Sequence, residues 1–308
     1  MTLLPSPATV VQPALPTWGK TALALAALAS LLQAAPAQAA EARVSVGLDD
    51  QRMINPGFAT AKSVDQGSFA EGNGYEFRGG VGASAFASTK GVLSASAVGR
   101  ASFSDSFRVT LGQVADVGSA TSFLLSVPIL AHGSADIDWA PSPRFPAFTS
   151  TSNAIYAYSW RVAKASGSGR HVKFKGFNTP EAVTDTSTGG LTASFMVSLG
   201  QVVSLNLTAE AMAIVGGPGG EASAAADFGR TLRWGGVSSI TGFDSTGQQV
   251  ALPTDFQLAL LSDTSGFDYS QAAGPNPYTS APVPEPATWA LMAGGIGMLA
   301  WRRRTVRG

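Results

Sequence analysis

Apolar and polar side chains alternate along most of this chain. Val203, Leu205, Leu207, Ala209, Ala211, Ala213 and Val215 fall on one face of an extended backbone, with Ser204, Asn206, Thr208 and Glu210 on the other. A period of two marks a β-strand with one buried face, and this run covers two strand lengths, bent in the middle. Ala154, Tyr156, Tyr158, Trp160 and Val162 repeat the pattern while Ser159 and Arg161 face the other way, and Phe195, Val197 and Leu199 repeat it again. Over residues 83–109 the alternation is built from small residues, Ala against Ser, and ends in Phe103, Phe107 and Val109. Shorter candidate strands lie at residues 123–130, 237–241 and 256–261. Gly- and Ser-rich breaks separate the runs, as Gly216-Gly217-Pro218-Gly219-Gly220 does between two strands. Close spacing of short strands and turns predicts an antiparallel two-sheet β-sandwich, jelly-roll-like and all-β, over residues 40–273, with ten to thirteen strands. The alanines do not argue for helix, because they alternate with Ser and Gly, both weaker helix formers.

Both ends depart from this pattern. Residues 21–32 form an apolar run of 12 after Lys20. That is too short to span a membrane and suits the core of a signal peptide. Small residues follow, and Ala37-Gln38-Ala39 offers a cleavage site before Ala40, so residues 1–39 read as a signal peptide. At the other end, residues 274–283 contain Pro275, Pro277 and Pro282 and read as an extended spacer. Val283-Pro284-Glu285-Pro286 comes next, followed by an uncharged segment, Ala287-Thr288-Trp289-Ala290-Leu291-Met292-Ala293-Gly294-Gly295-Ile296-Gly297-Met298-Leu299-Ala300-Trp301. These 15 residues fall short of the ~20 of a comfortable spanning helix. Trp289 and Trp301 stand where aromatics favour the membrane interface. Arg302, Arg303 and Arg304 favour a cytoplasmic C-terminus, which places the body on the far side of the membrane.

The motif, the segment and the arginine cluster, in that order, resemble the PEP-CTERM sorting signal of Gram-negative bacteria. The resemblance covers residues 284–308 and the Val283 before them, and it reports an address rather than an activity. It implies an exosortase as partner, after Sec export, with transient residence in the inner membrane. The resemblance further implies that the tail is then cut and the body released to the cell surface or an exopolysaccharide matrix. A second, looser resemblance to the bodies of such proteins lies in Ala226-Asp227-Phe228-Gly229-Arg230-Thr231-Leu232 and Gly266-Phe267-Asp268-Tyr269, and it carries no chemistry.

Composition narrows the chemistry. There is no cysteine, which excludes disulfides, thiolate nucleophiles and Cys-containing zinc sites. Between the end signals the chain has 15 Lys plus Arg against 19 Asp plus Glu, a net of −4. A mildly acidic, mixed surface argues against nucleic acid and against tight binding of anionic polymers. His132 and His171 are the only histidines. Ser134, His132 and Asp136 could be imagined as a triad, but no Gly-x-Ser-x-Gly elbow accompanies them, and a solvated or turn histidine is the plainer reading. Gly167-Ser168-Gly169 and Gly118-Ser119 read as loop, and Asp49-Asp50 as an acidic pair in a loop.

Asp136 and Asp138 share a face if their segment is a strand, and two such carboxylates could contribute to a calcium site or begin a glycosidase site. Trp139, Trp160, Trp234, Tyr75, Tyr156 and Tyr158 could stack on sugars, with Trp234, between Arg233 and Gly235, the best surface candidate. The resulting expectation is a non-enzymatic surface or matrix protein. A lectin-like carbohydrate-binding module is the alternative, and a secreted glycoside hydrolase is a more remote one.

Overall fold

The computed structural model describes residues 39–278 apart from 47–48, 66, 91–93, 113–116, 142–150, 177–179 and 218–219. Sixteen strands form among the described residues: β1 (Ala39–Val46), β2 (Asp49–Asn55), β3 (Phe58–Asp65), β4 (Ser68–Phe77), β5 (Gly80–Lys90), β6 (Ala95–Leu111), β7 (Ser122–Pro141) and β8 (Thr151–Val162), then β9 (Ala165–Lys175), β10 (Ala182–Thr188), β11 (Thr192–Val197), β12 (Val202–Gly216), β13 (Gly220–Trp234), β14 (Ser239–Phe243), β15 (Gln249–Val250) and β16 (Leu258–Ser262). One sheet runs β10-β9-β8-β12-β6-β1-β2, with β16 against β6; the other runs β15-β14-β7-β13-β5-β4-β3, with β11 against β7. Every pairing is antiparallel. The sheets stack as the predicted sandwich, β1 over β3 and β4, β6 over β4 and β5, β12 over β5 and β13, and β8 over β13.

The alternation places one face of each central strand between the sheets, and the size of those inward residues is graded along the strand. On β6 they run Ala95, Ala97, Gly99, Ala101, Phe103, Asp105, Phe107, Val109, all buried. Across the ladder Ala97 faces Ala213, Ala101 faces Ala209, Phe103 faces Leu207 and Phe107 faces Val203. The opposing sheet follows the same gradient: β13 buries Ala222, Ala224 and Ala226 and then Phe228, Leu232 and Trp234. The ladder of β13 slips between Phe228 and Leu232, the bulge where small gives way to large. The sandwich is therefore thin at one end and thick at the other.

At the thin end the two backbones meet. A Cβ on Gly99 would lie 1.9 Å from the carbonyl oxygen of Asn73 and 2.4 Å from that of Ser84, both on the facing sheet. A Cβ on Gly74 would lie 2.1 Å from the carbonyl oxygen of Arg100. Ordinary sheets stack about 10 Å apart because side chains fill the gap. Here the side chain is missing, and dispersion contact passes from main chain to main chain.

The thick end is aromatic and holds one buried carboxylate. Trp234 packs at 5.8 Å from Phe107 and 5.6 Å from Tyr269, and its indole donates to the Tyr269 carbonyl at 2.6 Å. Asp105 takes an inward position on β6 with only 8% exposure. It accepts from Ser262 (2.8 and 3.0 Å), Ser265 (3.1 Å), the Tyr269 hydroxyl (2.8 Å) and the Ser106 amide (2.7 Å). These bonds replace the water that a buried charge loses. They also tie β16 and the turn after it to β6. Burial first, and then the bond to Asp105 and its charge, hold the Tyr269 phenol well above the ordinary tyrosine range.

Several expectations change here. Strands β2, β3, β4, β9, β10 and β15 come from segments without a clear apolar alternation. Asp49 and Asp50 open β2 rather than a loop, and Asp50 pairs with Arg43 at 2.6 Å. Gly167 and Gly169 lie in β9, not in a loop, because the rings of Trp160 and Tyr158 on β8 lie across them.

Gly99→Ala is expected to cost about 3 kcal/mol, at the upper end of ordinary overpacking, or to prevent folding. Gly274→Ala, with open space around its Cβ, should stay within about 0.5 kcal/mol in the same urea titration. A second test uses pH. A folded-state phenol pKa raised above the unfolded value contributes stability that is complete below the unfolded pKa of about 10 and lost as pH rises beyond it. Tyr269 should therefore contribute a fall of about 1.4 kcal/mol per pH unit above pH ~10, beside contributions of the same sign from Tyr75, Tyr156 and Tyr158, whose phenols burial also raises, and Tyr269→Phe should lessen the slope by that amount at the cost of one hydrogen bond.

Candidate functional site

Asp136 and Asp138 stand on β7, both exposed and on one face as the period of two requires. Asp136 lies 3.7 Å from Lys173, which also meets Glu181 at 3.2 Å, and the Asp138 backbone carbonyl accepts from Ser152. Among the described residues no group of three His, Asp or Glu converges as a metal site would require. His132, Ser134 and Asp136 follow one another on the same strand face, with neighbouring Cα atoms about 6.8 Å apart, as the pleat dictates. His171 is not a turn residue. It lies on β9, stacks on Tyr156 at 5.0 Å, and its Nδ1 meets the Asp185 carboxylate on β10.

The aromatic candidates do not make an open platform. Trp234 is fully buried, which overturns its reading as a surface residue: it lies on the inward register of β13 with Leu232. Trp160 is buried too, with its indole donating to the Gly190 carbonyl at 3.3 Å. Tyr156 and Tyr158 are half-buried and stack on Phe228 at 5.3 and 5.7 Å.

The outer face of the first sheet offers a different arrangement. Its ladders set Ser102, Thr208, Ser159, Ser168 and Thr188 in one row across β6, β12, β8, β9 and β10. The rows beside it are Ser104, Asn206, Arg161 and Ser166, and then Arg100, Glu210, Ala157, Arg170 and Thr186. Between β12, β8 and β9 this face is recessed, an open hollow of about 590 Å³ lined by Ser159, Arg161, Ser168, Thr188, Asn206 and Thr208. Ser168 and Thr188 bond each other at 2.9 Å, and Ser104 donates to the Asn206 amide oxygen at 2.8 Å. Burial raises the Glu210 carboxyl above its usual range, with Arg100 and then Arg170 opposing the rise.

The chain leaves the body by a fixed route. Ala273 and Asn276 are buried, and Asn276 caps the Tyr278 amide at 2.8 Å. The Tyr278 ring stacks at 5.8 Å from Phe58 and 6.5 Å from Tyr75. The first half of the expected spacer is thus laid against β3 and β4, as far as Tyr278. Among the described residues no helix is long and apolar enough to cross a membrane. The apolar segment 287–301, Val283 to Pro286, Arg302 to Arg304 and the cleavage-site residue Ala37 lie outside the described residues. Ala39 and Ala40 are the first two residues of β1.

No curated protein and no solved structure matches the chain. A family model does match, over residues 282–304, and its description is the PEP-CTERM protein-sorting motif. The end of this chain, four residues beyond the stacked Tyr278, is therefore a PEP-CTERM sorting signal.

Proposed function

We propose that this is an exported, non-enzymatic display protein whose β-sandwich body is delivered through the inner membrane, trimmed at its tail and held at the cell surface or in an exopolysaccharide matrix. The motif at residues 282–304 carries this reading, since it supports export and exosortase sorting. The geometry of the two ends agrees with it. A signal-peptide cut before Ala40 removes only Ala39 from β1, whose Ala40 and Ala42 are fully buried in the core. A 15-residue segment is about 22 Å long as a helix, less than the ~30 Å hydrocarbon core, which suits a passing hold rather than a permanent anchor. Because Tyr278 is docked, the six residues to Pro284 reach at most about 20 Å from the body. A cut in the Pro-Glu-Pro segment would then be made with the body no further than that from the enzyme.

The non-enzymatic part of the proposal rests on what the titratable groups do. Asp105 is saturated by hydroxyls that hold β16, His171 is taken up by Asp185 and Tyr156, and Asp136 meets Lys173. Each has structural employment, which is the commoner fate of such groups.

Replacing Pro284 and Glu285 together by Ala should leave the full-length chain in the inner-membrane fraction of its host. The unaltered chain should appear, shortened, in the outer envelope or medium. Release of the variant at the normal rate would contradict sorting through this motif.

A further inference from the structure

The body carries a net negative charge, yet that charge is not evenly spread. On the outer face of the first sheet, Arg43 pairs with Asp50, Arg52 with Glu41, Arg100 with Glu210 and Arg108 with Asp263. Arg161 and Arg170 stand exposed on the same face and form no ion pair among the described residues. This face therefore has a surplus of guanidinium over carboxylate, concentrated on β8 and β9, where the polar hollow opens.

The groups in that hollow have bonding capacity to spare. Asn206 sits directly opposite Arg161, and Thr208 directly opposite Ser159, so the four make a square of two rows on two strands. Its sides are about 5 Å across the ladder and about 7 Å along it. The Asn206 amide oxygen is occupied by Ser104. Its NH₂ group, the Thr208 and Ser159 hydroxyls and the Arg161 guanidinium have no partner among the described residues. The array therefore presents many N–H and O–H donors, two hydroxyl oxygens that also accept, and one uncompensated positive charge in a fork suited to a carboxylate. Arg170 lies two rows further on, about 14 Å from Arg161 along the sheet. The two cations bracket the hydroxyl row.

From this we infer that the hollow between β8, β9 and β12 is a binding site for an acidic glycan, a chain of hydroxyl-bearing sugar units with uronate-type carboxylates. Adjacent hydroxyls and amides meet the sugar hydroxyls, and Arg161 takes a carboxylate. The hollow's open shape admits the middle of a polymer and not only its end. Trp160, the aromatic residue on its lining, is buried with its indole bonded to the Gly190 carbonyl and offers a nucleobase no open ring face, and the side chains around it are polar, so a lipid surface finds little apolar area to join. The site deepens the matrix-display reading and rests on it for its setting, but it is tested apart from sorting.

The test measures binding of the purified full-length chain in detergent to a uronate hexamer, by calorimetry in 20 and 300 mM salt. Dextran hexamer and vesicles of anionic phospholipid serve as comparison ligands, and Arg161→Ala and Thr208→Ala as variants. The site predicts uronate binding that weakens with salt, falls at least tenfold in Arg161→Ala and severalfold in Thr208→Ala, and is absent with dextran. Thermal midpoints of both variants should stay at the parent value, because neither residue is in the core. No uronate binding, or uronate binding indifferent to Arg161, would overturn the assignment. Anionic vesicles bound with the same Arg161 dependence would overturn it in favour of a lipid headgroup. Sorting is read independently by where the chain ends up in the cell, so failure here leaves that reading standing, and the reverse.

Discussion

Backbone contact between the two sheets at Gly72, Gly74 and Gly99 is the constraint on which the rest of the molecule depends. Once Gly99 lies against the Asn73 and Ser84 carbonyls, nothing larger than Ala fits beside it, and the neighbouring inward residues on β6, β12, β5 and β13 are Ala. Sheets pinned close at one end by glycine and alanine are held further apart at the other by larger inward side chains. The space that opens is filled by Phe103, Phe107, Phe123, Leu205, Leu207, Leu232 and Trp234. A chain without disulfides thus obtains a rigid body from two kinds of packing, main chain on main chain and ring on ring.

The thick end needs closing, and Asp105 does this. Its carboxylate is the point at which β16, the turn at Ser265 and the ring of Tyr269 are fixed onto β6. From Tyr269 the chain runs on to buried Ala273 and Asn276 and to the Tyr278 stack. The position at which the tail departs is therefore determined by the core itself. The sorting signal is attached to a body that holds its own last described residues in place.

Much of this was legible in the alternation. The two sheets, the run over residues 202–216, the small-residue stretch over 83–109 and its aromatic ending all follow from the period of two. The hairpin of β9 and β10 was not legible, because β10 is exposed on both faces and the glycines of β9 act through rings on the neighbouring strand. Trp234 was misread because Arg233 and Gly235 suggest a surface, whereas its register with Leu232 points inward. Asp105 was missed although it had a signal: a charged residue at the inward position between Phe103 and Phe107. The hollow was out of reach, since its residues come together only once β12 is known to pair with β8. The tail, by contrast, is local in sequence and needed no fold to be seen.

The central claim is that one folded body, running from β1 to the Tyr278 stack, is what remains after both end signals are removed. Intact-mass measurement of the protein from its host's envelope and matrix tests this most directly. The account predicts a chain that begins at or next to Ala40 and ends between Val283 and Pro286, with or without an added group. A chain still ending at Gly308, or one cut inside the body before Tyr278, would contradict it.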